Sequence, residues 1–249
     1  MANFPPQVQR VIDQGYEFNF GDYLSKGFNI VGKQAVLYMA FTFVFFLILM
    51  VSGLIPILGQ LAGGLVLAPC LMAGFHLANR KVDDGQSIAF GDFFKGFEHW
   101  SQLLVSVLIM GGIFLLLMLP IALIFGFGID PDAIAAGDIS GFPWWAFLLL
   151  LPLIYLGVAW GYSSFLIIFH GMSAWPAMEA SRQIISQKWF FFLLFGIVVG
   201  IIGSIGAIAL GIGMLFTLPA AYAMQFTSFR DVVGMPDEVT VSTLDHLVD

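Results

Sequence analysis

The chain has 249 residues, of which 59% are hydrophobic and only 10% charged, with a formal net charge of −7 and a mean hydropathy of +0.95. Soluble domains carry about 25% charged residues, so this composition excludes an ordinary soluble domain and points to an integral membrane protein. The acidic balance argues against a nucleic-acid partner. The single cysteine, Cys70, lies inside an apolar run, which excludes a disulfide framework or a cysteine metal site within one chain.

The first segment, residues 1–33, is polar to amphipathic and lacks the short apolar core and small-residue cleavage site of a signal peptide. Its N-terminus is therefore expected in the cytoplasm. Apolar segments follow at about 34–54, 57–78, 102–128, 144–169, 189–205 and 206–229, lengths that suit the roughly 17–25 residues of a membrane-crossing helix. They predict an all-α membrane protein of six spans grouped as three hairpins. "SGLIPILGQ" supplies the first turn and "GIIGSIGAIALGIG" the third.

Charge orients the spans. Arg10, Lys26 and Lys33 precede the first span, Arg80, Lys81 and Lys95 lie between the second and third, Arg182 and Lys188 between the fourth and fifth, and Arg230 follows the sixth. With six spans all of these share one face, which the positive-inside rule makes cytoplasmic. The loop "GIDPDAIAAGDISGFPWW" carries Asp130, Asp132 and Asp138 with no basic residue, as expected on the opposite side. Five spans would leave Arg230 outside.

Each hairpin is preceded by a segment that mixes apolar residues with charge: "GDYLSKGFNIVGKQ", "GDFFKGFEHWSQ" and "PAMEASRQIISQKW". Ser25-Lys26 and Lys33 resemble Ser181-Arg182 and Lys188. Pro69 precedes Arg80 by the interval at which Pro219 precedes Arg230, and His170 aligns with that basic position. The pattern predicts a threefold internal repeat, at about 21–80, 90–170 and 176–230, between a 1–20 N-terminal cytoplasmic segment and a 231–249 acidic cytoplasmic tail. The lead-ins are expected to lie along the interface as amphipathic helices. Phe93, Phe94, Phe97 and Trp100 should then face lipid or the bundle, and Lys95 and Glu98 should face water or headgroups.

No proposed span has Asp, Glu, Lys or Arg at its middle, which weighs against ion-coupled transport, proton relays and intramembrane hydrolysis. His76, His99 and His170 lack the i, i+4 spacing of a helical metal motif, and no nucleophile or phosphate-binding motif occurs. No cofactor, metal site or catalytic residue is expected. Lys26, Lys33, Lys81, Lys95 and Lys188 are candidate lipid-headgroup contacts, at about 1 kcal/mol per basic residue near an anionic surface. Pro69 and Pro219 are expected to kink their spans, the feature that would support the alternative of a small transporter or channel for an apolar or uncharged solute. Gly196, Gly200 and Gly203 suit close helix packing, within one chain or in a homo-oligomer.

The three hairpins with lead-ins "SKGFNIVGKQ", "KGFEHWSQ" and "SRQIISQKW" resemble the six-span membrane domain of bacterial glycerophosphodiester phosphodiesterases and related inner-membrane proteins. The resemblance covers roughly residues 21–230 and lacks the catalytic barrel, so no catalytic residue carries over. It implies a multi-pass bacterial inner-membrane protein without catalytic activity, whose partners are membrane lipids or another membrane protein.

Overall fold

A computed structural model describes residues 4–127, 143–207 and 211–236 of the chain. The loop carrying Asp130, Asp132 and Asp138 and the tail beyond residue 236 lie outside the described residues. Among the described residues the chain is helical, with no strand.

Two amphipathic helices open the chain: α1 (Pro6–Gln14) and α2 (Phe20–Lys33). α2 buries Tyr23, Gly27, Ile30 and Val31, the spacing of a single helical face. A lone non-helical residue, Gln34 at φ −139° and ψ 41°, separates it from α3 (Ala35–Gly53). α3 is apolar on all sides, the pattern of a helix surrounded by lipid or core. In the turn that follows, the positive φ falls on Ile57, at φ 60° and ψ −69°, where the Leu58 N–H donates to the Pro56 carbonyl at 2.7 Å, and not on Gly53.

The return stretch is helical from α4 (Leu58–Ala62) through a π-helical turn (Gly63–Leu67) into α5 (Ala68–Asp83). Pro69 sits in the first turn of α5. Proline cannot donate to the preceding turn, and the wider π turn immediately ahead is the kind of bulge that accommodates such a break. The expected irregularity at Pro69 is thus a π turn.

A 3-10 segment (Phe90–His99) leads into α6 (Trp100–Phe127), which carries Pro120 within it. The fourth apolar segment is divided into a 3-10 turn (Trp144–Leu150), α7 (Leu151–Ala159) and α8 (Ser163–His170). α9 (Ala174–Ser186) follows, then α10 (Trp189–Ile205) after the two-residue turn Gln187–Lys188, in which Lys188 has φ −135° and ψ 38°. That backbone repeats the geometry of Gln34. α11 (Met214–Val232) ends the described chain.

Four stretches are long and apolar enough to cross a membrane: Ala35–Gly53, Leu58–Asp83, Phe90–Gly126 and Trp144–His170. α9 and α10, bent by 101°, make a fifth if counted as one span. The sixth expected span differs from its expectation. Gly206 lies in a turn, and the helix begins only at Met214. α11 also carries Tyr222, Gln225, Thr227, Ser228 and Arg230, so its composition is less apolar than that of the other spans.

What α11 lacks in lipid-like surface it makes up in burial. Pro219, Ala220, Ala223, Met224, Phe226 and Phe229 are all buried, and the helix packs against α2, α3, α5 and α10. The core joins α5, α8 and α11 through aromatic rings: Phe75 stacks on Tyr222 at 5.1 Å, His76 meets Phe165 at 4.1 Å, and Phe165 stacks on Phe229 at 4.9 Å. Such ring pairs contribute about 0.5–1.5 kcal/mol each beyond their buried area.

Candidate functional site

The amphipathic segments create the polar end of the molecule, and each docks on a helix from another part of the chain. α2 lies on α11, where Tyr23 donates its hydroxyl to Asp231 at 2.6 Å and Thr227 donates to the Tyr23 carbonyl at 3.1 Å. A Cβ on Gly27 would overlap Met224. The 3-10 segment lies on α5, where a Cβ on Gly96 would overlap the Cys70 carbonyl and one on Gly74 would overlap the Phe93 carbonyl. Here glycine is required for the backbones to approach. α9 lies on the break between α7 and α8: Ser181 donates to the Ala159 carbonyl at 2.7 Å and accepts the Tyr162 N–H at 3.0 Å.

The expected facing of the 3-10 segment is largely met. Phe93 is buried, Phe94 and Phe97 are half-buried, Trp100 is exposed, and Lys95 and Glu98 reach the surface. Asp92 is buried and accepts from both Lys81 and Lys95 at 2.8 Å, and from the Ala89 N–H at 2.9 Å. A buried carboxylate without such partners would be strongly disfavoured. Asp92 therefore ties the lead-in to α5, and two of the five candidate headgroup lysines are engaged in doing so.

The other three differ. Lys188 lies over the Tyr16 ring at 5.5 Å, a cation–π contact. Lys33 is exposed in the last turn of α2, where a cation suits the helix dipole. Lys26 is exposed, has no ion pair among the described residues, and borders a polar cavity of about 300 Å³ with Asp83, Thr227, Arg230 and Asp231. Arg230 is held by Asp83 at 2.8 Å and Asp84 at 2.7 Å, joining the ends of α5 and α11. Asp231 is held by Tyr23 and, at 3.2 Å, by the Asn19 amide.

The cavity thus presents Lys26, without an ion pair among the described residues, beside the Arg230–Asp83–Asp84 cluster and an Asp231 carboxylate held by neutral donors. It was missed in the sequence because Asp83, Arg230 and Asp231 come together only through the α2–α11 and α5–α11 contacts. Around Tyr23, burial, followed by the hydrogen bond to Asp231, pushes the phenol above its usual range, against a lowering by the Asn19 N–H. The neutral phenol is the form that holds Asp231 in place.

The glycine series is divided by the fold. Gly203 packs on Ala221, and Thr217 donates to its carbonyl at 3.0 Å, whereas a Cβ on Gly196 or Gly200 would meet nothing within 4 Å. Neither Pro69 nor Pro219 lines the polar cavity or the two other cavities described. Among the described residues no three His, Cys, Asp or Glu side chains gather as a metal site.

Comparison of the chain with protein-family models, with curated proteins and with solved structures finds no match.

Proposed function

We propose that the protein is a non-catalytic, multi-pass module of a bacterial inner membrane that binds lipid headgroups at its cytoplasmic interface. The observation that carries this reading is Lys26, an exposed lysine without an ion pair among the described residues at the rim of a polar cavity, beside Arg230, which is paired with Asp83 and Asp84, and Asp231, which is held by Tyr23 and Asn19. A phosphate-bearing headgroup would pair with Lys26 from the outside, while Asp83 stays with Arg230 and Asp231 with Tyr23 and Asn19.

The proposed architecture is six spans in three repeated hairpins, with both termini cytoplasmic. Two features support it. Each lead-in docks on the closing helix of the preceding hairpin: the 3-10 segment on α5, α9 on α7–α8, and α2 on α11, which closes the set into a ring. Gln34 and Lys188 each immediately precede a span helix with matching backbone angles, which aligns Gln34, not Lys33, with Lys188. The likeness to the membrane domain of glycerophosphodiester phosphodiesterases belongs to the same proposal. So does the idea of a partner membrane protein.

Purification in mild detergent, followed by identification of the retained lipids and proteins, tests the reading. Retention of phosphate-bearing lipid that falls in a Lys26→Gln variant is expected. Lipid retention independent of Lys26 would remove the support.

A further inference from the structure

A second cavity, of about 310 Å³, lies directly beneath α9, between α7–α8, α10 and α11. This is at the low end of small-molecule pockets, roughly 300–1,000 Å³. Gly157 and Gly161 on one side and Gly196 on the other line it and are exposed. A Cβ on Gly196 would meet nothing within 4 Å. The surface around these glycines is apolar, with Ile154 45%, Leu194 41% and Ile197 50% exposed, a composition that suits hydrocarbon better than water.

Phe192 and Phe195 form part of the cavity wall, and Tyr162, Gln225 and Ser228 are its polar lining. Tyr162 donates to Ser228 at 3.0 Å and Ser228 donates to the Gln225 backbone carbonyl at 2.8 Å, so these two hydroxyls satisfy each other. The side-chain amide of Gln225 makes no hydrogen bond among the described residues. An amide at membrane depth is disfavoured unless a partner satisfies it. No Asp, Glu, Lys or Arg lines the cavity, which disfavours a charged occupant. At 1.5 Å per residue, Gln225 lies about 7.5 Å along α11 from Arg230, just below the charged rim. With Arg230 at the cytoplasmic surface, as in the architecture proposed above, that is the level of a lipid's ester linkages.

We infer that this cavity is a binding site for one acyl chain of a glycerolipid, with the ester carbonyl accepting a hydrogen bond from the Gln225 amide. The inference rests on the lipid-binding reading above but uses a different site and a different part of the lipid. A Cβ at Gly196 meets nothing within 4 Å, so Gly196→Leu can be introduced without displacing the backbone, and its side chain would take up space at the cavity.

The test is photo-cross-linking of full-length protein in phosphatidylethanolamine–phosphatidylglycerol vesicles, using a glycerophospholipid with a diazirine in its acyl chain. The cross-linked peptides are then mapped by mass spectrometry. Labelling concentrated on the peptides bearing Tyr162, Phe192 and Phe195 is expected, with at least a tenfold loss in Gly196→Leu. An ether-linked competitor, which has no ester carbonyl, should displace the probe several-fold less well than its ester counterpart. In Gln225→Leu the two competitors should become equal. A neutral diacylglycerol that competes as well as the phospholipid would identify the acylglycerol as the recognised unit, whereas weaker competition assigns part of the recognition to the headgroup. Labelling spread evenly over the apolar surface, or unchanged by Gly196→Leu, would overturn the inference. Headgroup retention through Lys26, measured on the same preparations, reports separately on the earlier proposal.

Discussion

Ser181 bridges the broken fourth apolar segment, donating to the Ala159 carbonyl at 2.7 Å and accepting the Tyr162 N–H at 3.0 Å. Its hydroxyl replaces the backbone bonds that α7 and α8 lose at Trp160–Gly161. In Ser181→Ala both backbone groups are left buried without partners, which costs about 1–3 kcal/mol. The expected outcome is a lower unfolding midpoint in detergent, with partial rescue by Ser181→Thr. An unchanged midpoint in Ser181→Ala would show that the bridge contributes nothing.

Gly96 and Gly196 are both glycines in apolar surroundings, yet their substitutions should differ. A Cβ on Gly96 overlaps the Cys70 carbonyl, a backbone atom that cannot swing away, whereas Gly196 is open. Gly96→Leu should therefore destabilise by at least the 1–3 kcal/mol typical of overpacking, and Gly196→Leu by less than about 0.5 kcal/mol. Thermal unfolding monitored by exposure of Cys70, which is buried in the core, would rank the two.

Tyr23 sets an upper pH limit on the docking of α2. Its phenol is held above the usual tyrosine range, first by burial and then by Asp231. A raised pKa favours the neutral form in the folded state. The stabilisation is then complete below the unfolded value of about 10 and is lost as pH rises toward the folded value. Alkaline unfolding should begin above about pH 10 in the wild type, and in Tyr23→Phe this Tyr23-linked component should disappear. Absorbance of the phenolate, followed together with helicity, checks the order of events.

The six-span arrangement predicts that Ala135 and Ser242 lie on opposite sides of the membrane. In a Cys70→Ala background, single cysteines at these positions should be labelled by impermeant reagent from opposite faces of oriented vesicles. Labelling of both from one face would contradict it.

The helices that are apolar all round were legible in the sequence, because α3 and α10 need only length and composition to be recognised. The lead-ins were legible through the phrase shared by Phe20 and Phe90, which places Tyr23 on the buried face of α2 and Phe93 on that of the 3-10 segment. Three things were not. The break at Trp160–Gly161 leaves no proline or charge to mark it, since its repair comes from Ser181, 19 residues from Tyr162. The alignment of Gln34 with Lys188 is set by backbone angles, whereas matching by charge pairs Lys33 with Lys188. The cavity at Lys26 is made by side chains as far apart as Asp83 and Arg230, 147 residues apart, and periodicity carries no information on such pairs.

Lipid retention by Lys26→Gln and Lys95→Gln, compared by native mass spectrometry after release from vesicles of phosphatidylethanolamine and phosphatidylglycerol, tests the central claim most directly. Lys95 is already engaged by Asp92, whereas Lys26 has no ion pair among the described residues. The account predicts that Lys26→Gln lowers the bound phospholipid several-fold, while Lys95→Gln leaves it within twofold of wild type. Equal retention by wild type and Lys26→Gln would contradict it.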